Sequence, residues 1–131
     1  MLLPLRYRRA WIALYWLLVA AIAITSLLPM ESLPGAPPGV DKLEHLLAYF
    51  SLAFLGIGLV PQRGLVTVVV FVLALGAGLE VAQGLLAAGR IADWIDLLAN
   101  AAGVGLAAWL GRRGCAGWAA RVEERITGRG G

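Results

Sequence analysis

The chemically capable side chains of this sequence recur at helical spacing. Asp41, His45 and Tyr49 stand four residues apart, and Glu80 and Gln83 three apart. Asp93, Asp96, Asn100 and Gly103 follow at steps of three, four and three. In a helix each set shares one face. An imidazole and carboxylates meeting in one layer could move protons, which makes His45, Glu80 and Asp96 the candidate catalytic residues. Lys42 and Arg90 add cations, and the guanidinium fork suits phosphate. Asp41, Lys42, Gln83, Arg90, Asp93 and Asn100 are the candidate binding residues. The same histidine and acids are ligands for a hard or borderline cation, so a divalent metal is permitted. No His-Glu-x-x-His signature demands one, and no cofactor is expected. Ser26, Ser32 and Ser51 are the only serines, and none lies in a Gly-x-Ser-x-Gly elbow.

Each residue also has a plainer reading. Asp41 suits a helix N-cap, with Glu44 three residues on as in a capping box. Lys42 suits an interfacial anchor. His45 and Tyr49 suit hydrogen-bonded packing, and Gln83 suits a hydrogen-bonding companion for Glu80. Arg90 could pair with Asp93 or Glu80. Asn100 and Gly103 suit helix packing. Glu80 resists such a reading, because it is a carboxylate inside an otherwise apolar run.

The elements that must position these residues are apolar. Of 131 residues, 60% are hydrophobic and 15% charged. A soluble domain of this size would be more polar, so the chain reads as a single membrane domain over residues 1–131. Four spans are expected, at residues 10–28, 42–60, 65–88 and 91–111. Each approaches the roughly 20 residues that cross a ~30 Å core. The first carries Trp11, Tyr15 and Trp16 near its start and reads as retained, not cleaved. A loop with four prolines and two glycines (residues 29–39) follows it. PQRG at residues 61–64 is a tight connection.

Charge sets the orientation. With the N-terminus in the cytoplasm, nine of the eleven basic residues fall inside, leaving only Lys42 and Arg90 outside. Both termini are therefore expected in the cytoplasm. Six of the eight acidic residues fall on the outer side, and only Glu123 and Glu124 inside. His45, Glu80, Asp93 and Asp96 then share one level, within roughly 10 Å of the outer interface. In the tail (residues 112–131), Cys115, Trp118, Val122 and Ile126 fit either a short amphipathic surface helix or a frayed end. The lone Cys115 forms no internal disulfide, and no nucleic-acid motif accompanies the basic balance.

The segments "DKLEHLLAYFSLAFL", "LEVAQ" and "RIADWIDLLANAAGVGLA" resemble the VanZ-like family of small bacterial membrane proteins. The resemblance covers about residues 10–111 and keeps the order and spacing of Asp41, Lys42 and His45, of Glu80 and Gln83, and of Arg90, Asp93, Asp96, Asn100 and Gly103. It implies an all-α bundle of four transmembrane helices in the bacterial cytoplasmic (inner) membrane. The family is named for a link to teicoplanin resistance, so an effect on glycopeptide susceptibility is one implied role. Its biochemical activity is poorly defined.

Three functional classes follow. One is a module that binds or remodels an envelope lipid or lipid-linked precursor. A second is an enzyme acting on a lipid-linked phosphate, with His45 and Glu80 or Asp96 as acid and base. The third is a structural or partner-binding membrane protein. A proton-coupled transporter on four short spans would need a second copy, so a homo-oligomer is a candidate assembly.

Overall fold

The structure, a computed structural model, describes residues 2–28, 39–86 and 93–128. Arg90, most of the Pro-rich loop and residues 91–92 of the expected fourth span lie outside them. The described residues are all-helical: α1 Arg8–Leu27, α2 Val40–Gly58, α3 Leu65–Leu86, α4 Trp94–Leu110 and α5 Trp118–Ile126. Three stretches are long and apolar enough to cross a membrane: Arg8–Leu27, Gln62–Leu86 and Trp94–Cys115. Large apolar side chains such as Leu17, Val66, Val70, Leu85 and Leu98 face outward along them. Outward-facing apolar surface on closed backbone helices is what lipid requires. The chain is thus a multi-pass membrane protein, all-helical among the described residues.

Helix α2 lies at the centre. It touches α1, α3, α4 and α5, and it contributes the fully buried Tyr49, Leu52, Ala53 and Ile57. Its closest neighbour is α4, and the two run parallel: Lys42 meets Asp96, His45 meets Asn100, and Ile57 approaches Gly111. Gly103 makes this approach possible. A Cβ there would collide with the Leu46 carbonyl oxygen and lie 2.8 Å from the Phe50 nitrogen. A small residue lets two backbones touch, and dispersion between them replaces the hydrophobic drive that lipid does not supply. Helix α3 runs antiparallel to α2, with Gly76 under Tyr49 and Gly56 under Val68.

Several boundaries differ from the sequence expectation. Helix α2 starts at Val40 with Gly39 as its N-cap, at φ 88°, so Asp41 lies inside the first turn and makes no side-chain cap. A left-handed glycine already turns the chain there, and the Asp41 carboxylate is drawn to Lys42, 3.1 Å away. Helix α4 starts at Trp94, and Asp93 is its N-cap, its side chain accepting from the Ile95 N–H at 2.8 Å.

The tail forms a helix that folds back under the bundle. A π-type turn at Gly111–Cys115 contains Gly114 at φ 105°, and α5 starts beyond it with Gly117, at φ 70°, as its N-cap. The last carbonyls of α2 then find donors from distant segments. Gly117 N–H donates to Ile57 (2.9 Å), Leu3 N–H to Leu59 (2.9 Å), and the Trp118 indole to Phe54 (2.9 Å). Trp118 fits because Gly58 has no side chain in its way. The expected apolar stripe holds only in part, since Ile126 is exposed and the buried positions of α5 are Ala119 and Glu123.

Glu123 is the main correction to the charge map. It is a buried acid, not a surface charge. Its carboxylate accepts from Arg6 N–H (2.7 Å), Tyr7 N–H (2.8 Å) and the Trp11 indole (2.9 Å). These N–H groups lie at and before the start of α1, where helical donors lack internal partners. Burial raises the Glu123 pKa, but the Tyr7, Arg6 and Trp11 donors outweigh it and hold the carboxyl below its usual range.

Candidate functional site

The opposite end of the bundle gathers the polar residues. Lys42 and His45 lie in the first turns of α2, Glu80 and Gln83 in the last two turns of α3, and Asp93, Asp96 and Asn100 at the start of α4. The end of α1 adds Ser26. Up-and-down helices necessarily return such positions to one level.

Lys42 holds the layer's acids together. Its ammonium lies 3.1 Å from Asp41 and 2.6 Å from Asp93, and it also contacts Asp96 Oδ1. Three carboxylates therefore share one flexible cation. Its own side chain keeps 29% of its surface exposed, so the head group sits at the mouth of the bundle. Asp93 does two further jobs. It caps α4, and its backbone N–H reaches Glu80 Oε2 at 3.3 Å.

His45 is held by a hydrogen bond at one ring nitrogen and faces a carboxylate at the other. Its Nδ1 lies 3.0 Å from Asn100 Oδ1, and its Nε2 lies 3.8 Å from Asp96 Oδ2. An amide oxygen only accepts, so Nδ1 carries the hydrogen of that pair and Nε2 faces the carboxylate. The imidazole also stacks on Tyr49, with planes 5° apart. Asn100 is 1% exposed, and its Nδ2 is the buried side-chain polar atom without a partner among the described residues. Glu80 completes the group: His45, Glu80 and Asp96 each bring one ligand-type atom within 4.8 Å of the others. Glu80 is 7% exposed and has no ion-pair partner among the described residues.

One expected partnership is different. Gln83 does not bond to Glu80. Its amide donates to the Ser26 carbonyl oxygen at 2.7 Å and ties α3 to the end of α1. That carbonyl belongs to the last turn of α1, where helix acceptors go unfilled. Arg90 lies outside the described residues; among the described residues Lys42 is the cation that meets the acids.

A cavity of about 280 Å³ opens beside this layer, between α1 and α2. Thr25, Ser26, Glu44, His45 and Tyr49 line it. His45 thus belongs both to the acid cluster and to the cavity wall. A larger, mostly apolar groove of about 410 Å³ lies toward the other end, by Tyr15, Gly56 and Phe71, away from the acids.

The fold and this layer define a multi-pass membrane protein with one acid-rich end. No family model, no curated protein and no solved structure matches the chain.

Proposed function

We propose that this chain is a VanZ-like protein of the bacterial cytoplasmic membrane. In this reading α2 is a fourth span. Its 19 residues reach ~28 Å, enough to follow its neighbours across the hydrocarbon core. Both termini lie in the cytoplasm, because Arg6, Arg63, Arg112 and Arg121 gather at the end where Glu123 joins the N-terminal segment. The acid-rich layer then faces the outer leaflet, where it binds or remodels an envelope lipid or lipid-linked precursor.

The observation that carries this reading is the cavity beside His45. Polar side chains are expensive in a membrane and are retained where they face one another or a wet site. Here His45, with Glu44, Tyr49, Thr25 and Ser26, borders a space of about 280 Å³ that opens from the bundle and has Ile22 and Ala48 as its apolar walls. The acyl chains would lie along the apolar helix faces. Native mass spectrometry tests it. The purified chain should retain phosphatidylglycerol or a lipid-linked phosphate, and His45→Ala and Arg90→Ala should retain less. Equal retention by all three forms overturns the head-group reading.

A membrane enzyme is the second reading, favoured by the Asn100–His45–Asp96 arrangement. An imidazole oriented at one nitrogen and facing a carboxylate at the other is placed for acid–base work. Under it, Glu80→Gln and His45→Ala abolish turnover of a lipid-linked phosphate while the protein stays folded. If the layer serves only structure or a partner, the same changes lower thermal stability and touch neither lipid retention nor any product. An effect on glycopeptide susceptibility is then measured directly, by expressing the unaltered and His45→Ala forms in a susceptible host.

A further inference from the structure

We infer that His45, Glu80 and Asp96 form a binding site for a divalent first-row cation, with Asn100 as the residue that orients the histidine. The site stands or falls independently of the lipid reading.

Four observations support it. First, the geometry is close to closed. Ligand atoms on one ion with bonds near 2.1 Å lie roughly 3–4 Å apart. Here the three candidate atoms lie within 4.8 Å of one another. Small side-chain rotations bring them onto one ion.

Second, the histidine is set up as ligating histidines are. A metal-bound imidazole commonly donates its other ring N–H to a carbonyl or carboxylate oxygen, which fixes its tautomer. The Asn100 amide oxygen fills that place at Nδ1, 3.0 Å away, and Nε2 is turned toward the Asp96 carboxylate. Asn100 is itself 1% exposed and held between helices, so it cannot swing away.

Third, the Asp96 oxygens are divided. Oδ1 takes Lys42, while Oδ2 faces His45. Lys42 neutralises one side of the carboxylate without blocking the other.

Fourth, the charge does not balance. With all four ionised, Asp41, Asp93 and Asp96 share one ammonium among the described residues and Glu80 meets none, accepting only the Asp93 backbone N–H. Even a contribution from Arg90 would leave two negative charges unmatched. Glu80 is 7% exposed, and a carboxyl so buried is carried either protonated or with a cation beside it, the second being the state that a metal would select. A divalent ion supplies the missing charge at the point where Glu80 lies. One nitrogen and two carboxylate oxygens suit Mn²⁺ or Zn²⁺ better than Ca²⁺. Three protein ligands from α2, α3 and α4 leave further positions open, and His45 connects them to the cavity.

The test uses the full chain in detergent, stripped with EDTA and titrated separately with Mn²⁺ and Zn²⁺. One equivalent should bind, and because the ion links three helices it should raise the melting temperature. Bound Mn²⁺ should show a changed electron paramagnetic resonance spectrum. Glu80→Gln should remove both responses. Asn100→Ala should keep the helical circular dichroism and weaken binding about 10- to 100-fold, as loss of an orienting partner does. Gly105→Ala, at an open helix position, should bind as the unaltered chain does. If Glu80→Gln does not fold, Co²⁺ absorption of the unaltered chain decides: a visible band from nitrogen and oxygen ligands supports the site, and its absence rejects it. No response to either ion in the unaltered chain, or equal affinity in folded Glu80→Gln, overturns the proposal.

Discussion

Glu123, on the last helix, accepts a 2.9 Å hydrogen bond from the indole of Trp11, on the first. With the Arg6 and Tyr7 N–H groups it closes the described chain on itself at one end of the bundle. A carboxylate below a helix N-terminus is stabilised by the free donors there and by the helix dipole. The contact therefore positions α5 under the bundle and orders the segment before α1.

A pH dependence follows from this contact. The Glu123 carboxyl titrates below its ordinary value, near 4.3 for a free glutamate. A group with a depressed folded pKa adds stability above its unfolded pKa. That stability is lost as pH falls through the folded pKa. The melting temperature of the unaltered chain in detergent should thus fall as the pH drops below about 4.3. Glu123→Gln should melt lower at pH 7 and show a smaller further loss on acidification. An acid profile identical in the two forms would rule out this role.

Two glycines on α4 should respond in opposite ways. Gly103→Ala places a methyl group against the Leu46 and Phe50 backbone, which cannot yield as a side chain can. It should cost about 1–3 kcal/mol or more by forcing α2 and α4 apart. Gly105 has open space where its Cβ would lie. Gly105→Ala should be neutral or gain a few tenths of a kcal/mol from helix propensity. Chemical unfolding of both variants in mixed micelles checks the pair, and equal effects would contradict the close α2–α4 approach.

Much of this was legible in the sequence, and what was not has identifiable causes. The apolar runs gave the helices, because lipid-facing surface leaves a strong compositional signal. Helical phase grouped Asp93, Asp96 and Asn100, because side chains three and four apart share a face. The Asp41 cap does not form, since an Asp-x-x-Glu pattern and a preceding left-handed Gly39 are competing start signals and the glycine takes the cap position. The i, i+3 spacing pairs Gln83 with Glu80, but its amide bonds to the Ser26 carbonyl. Spacing reports neighbours on its own helix and is blind to an unfilled carbonyl on α1. Glu123 looked like one charge among several on a short helix. The signal that could have found it is Gly114 with Gly117, two turn-forming residues that send the tail back toward the N-terminus.

The topology prediction uses the charge distribution together with the Glu123 contact. That contact requires the N-terminal segment and α5 to lie on the same side of any membrane. Reporter fusions after Arg63 and at the C-terminus should signal cytoplasm, and one within residues 29–38 should signal outside. Opposite signals from the N- and C-terminal ends would contradict the hydrogen bonds between Glu123 and residues 6 and 7.

The last prediction concerns Lys42. Its ammonium is shared by Asp41, Asp93 and Asp96, so its removal leaves acids on α2 and α4 repelling each other at the point where the helices enter the bundle. Lys42→Met keeps the length and apolar stem of the side chain, and should therefore lower stability through charge alone. Asp96→Asn in the Lys42→Met background removes part of the repulsion and should restore some of the loss. The coupling between the two positions should be favourable and on the order of 0.5–3 kcal/mol, the range for residues in one ionic network. Lys42→Arg retains the charge but replaces a point ammonium with a planar fork, which fits three separate carboxylates less well. It should fall between Lys42→Met and the unaltered chain. Melting temperatures of the five forms (unaltered, Lys42→Met, Asp96→Asn, the double variant and Lys42→Arg), at low and high salt, give the answer. Additive losses for Lys42→Met and Asp96→Asn would show that the ammonium does not hold α4 to α2, and that Gly103 packing alone joins them.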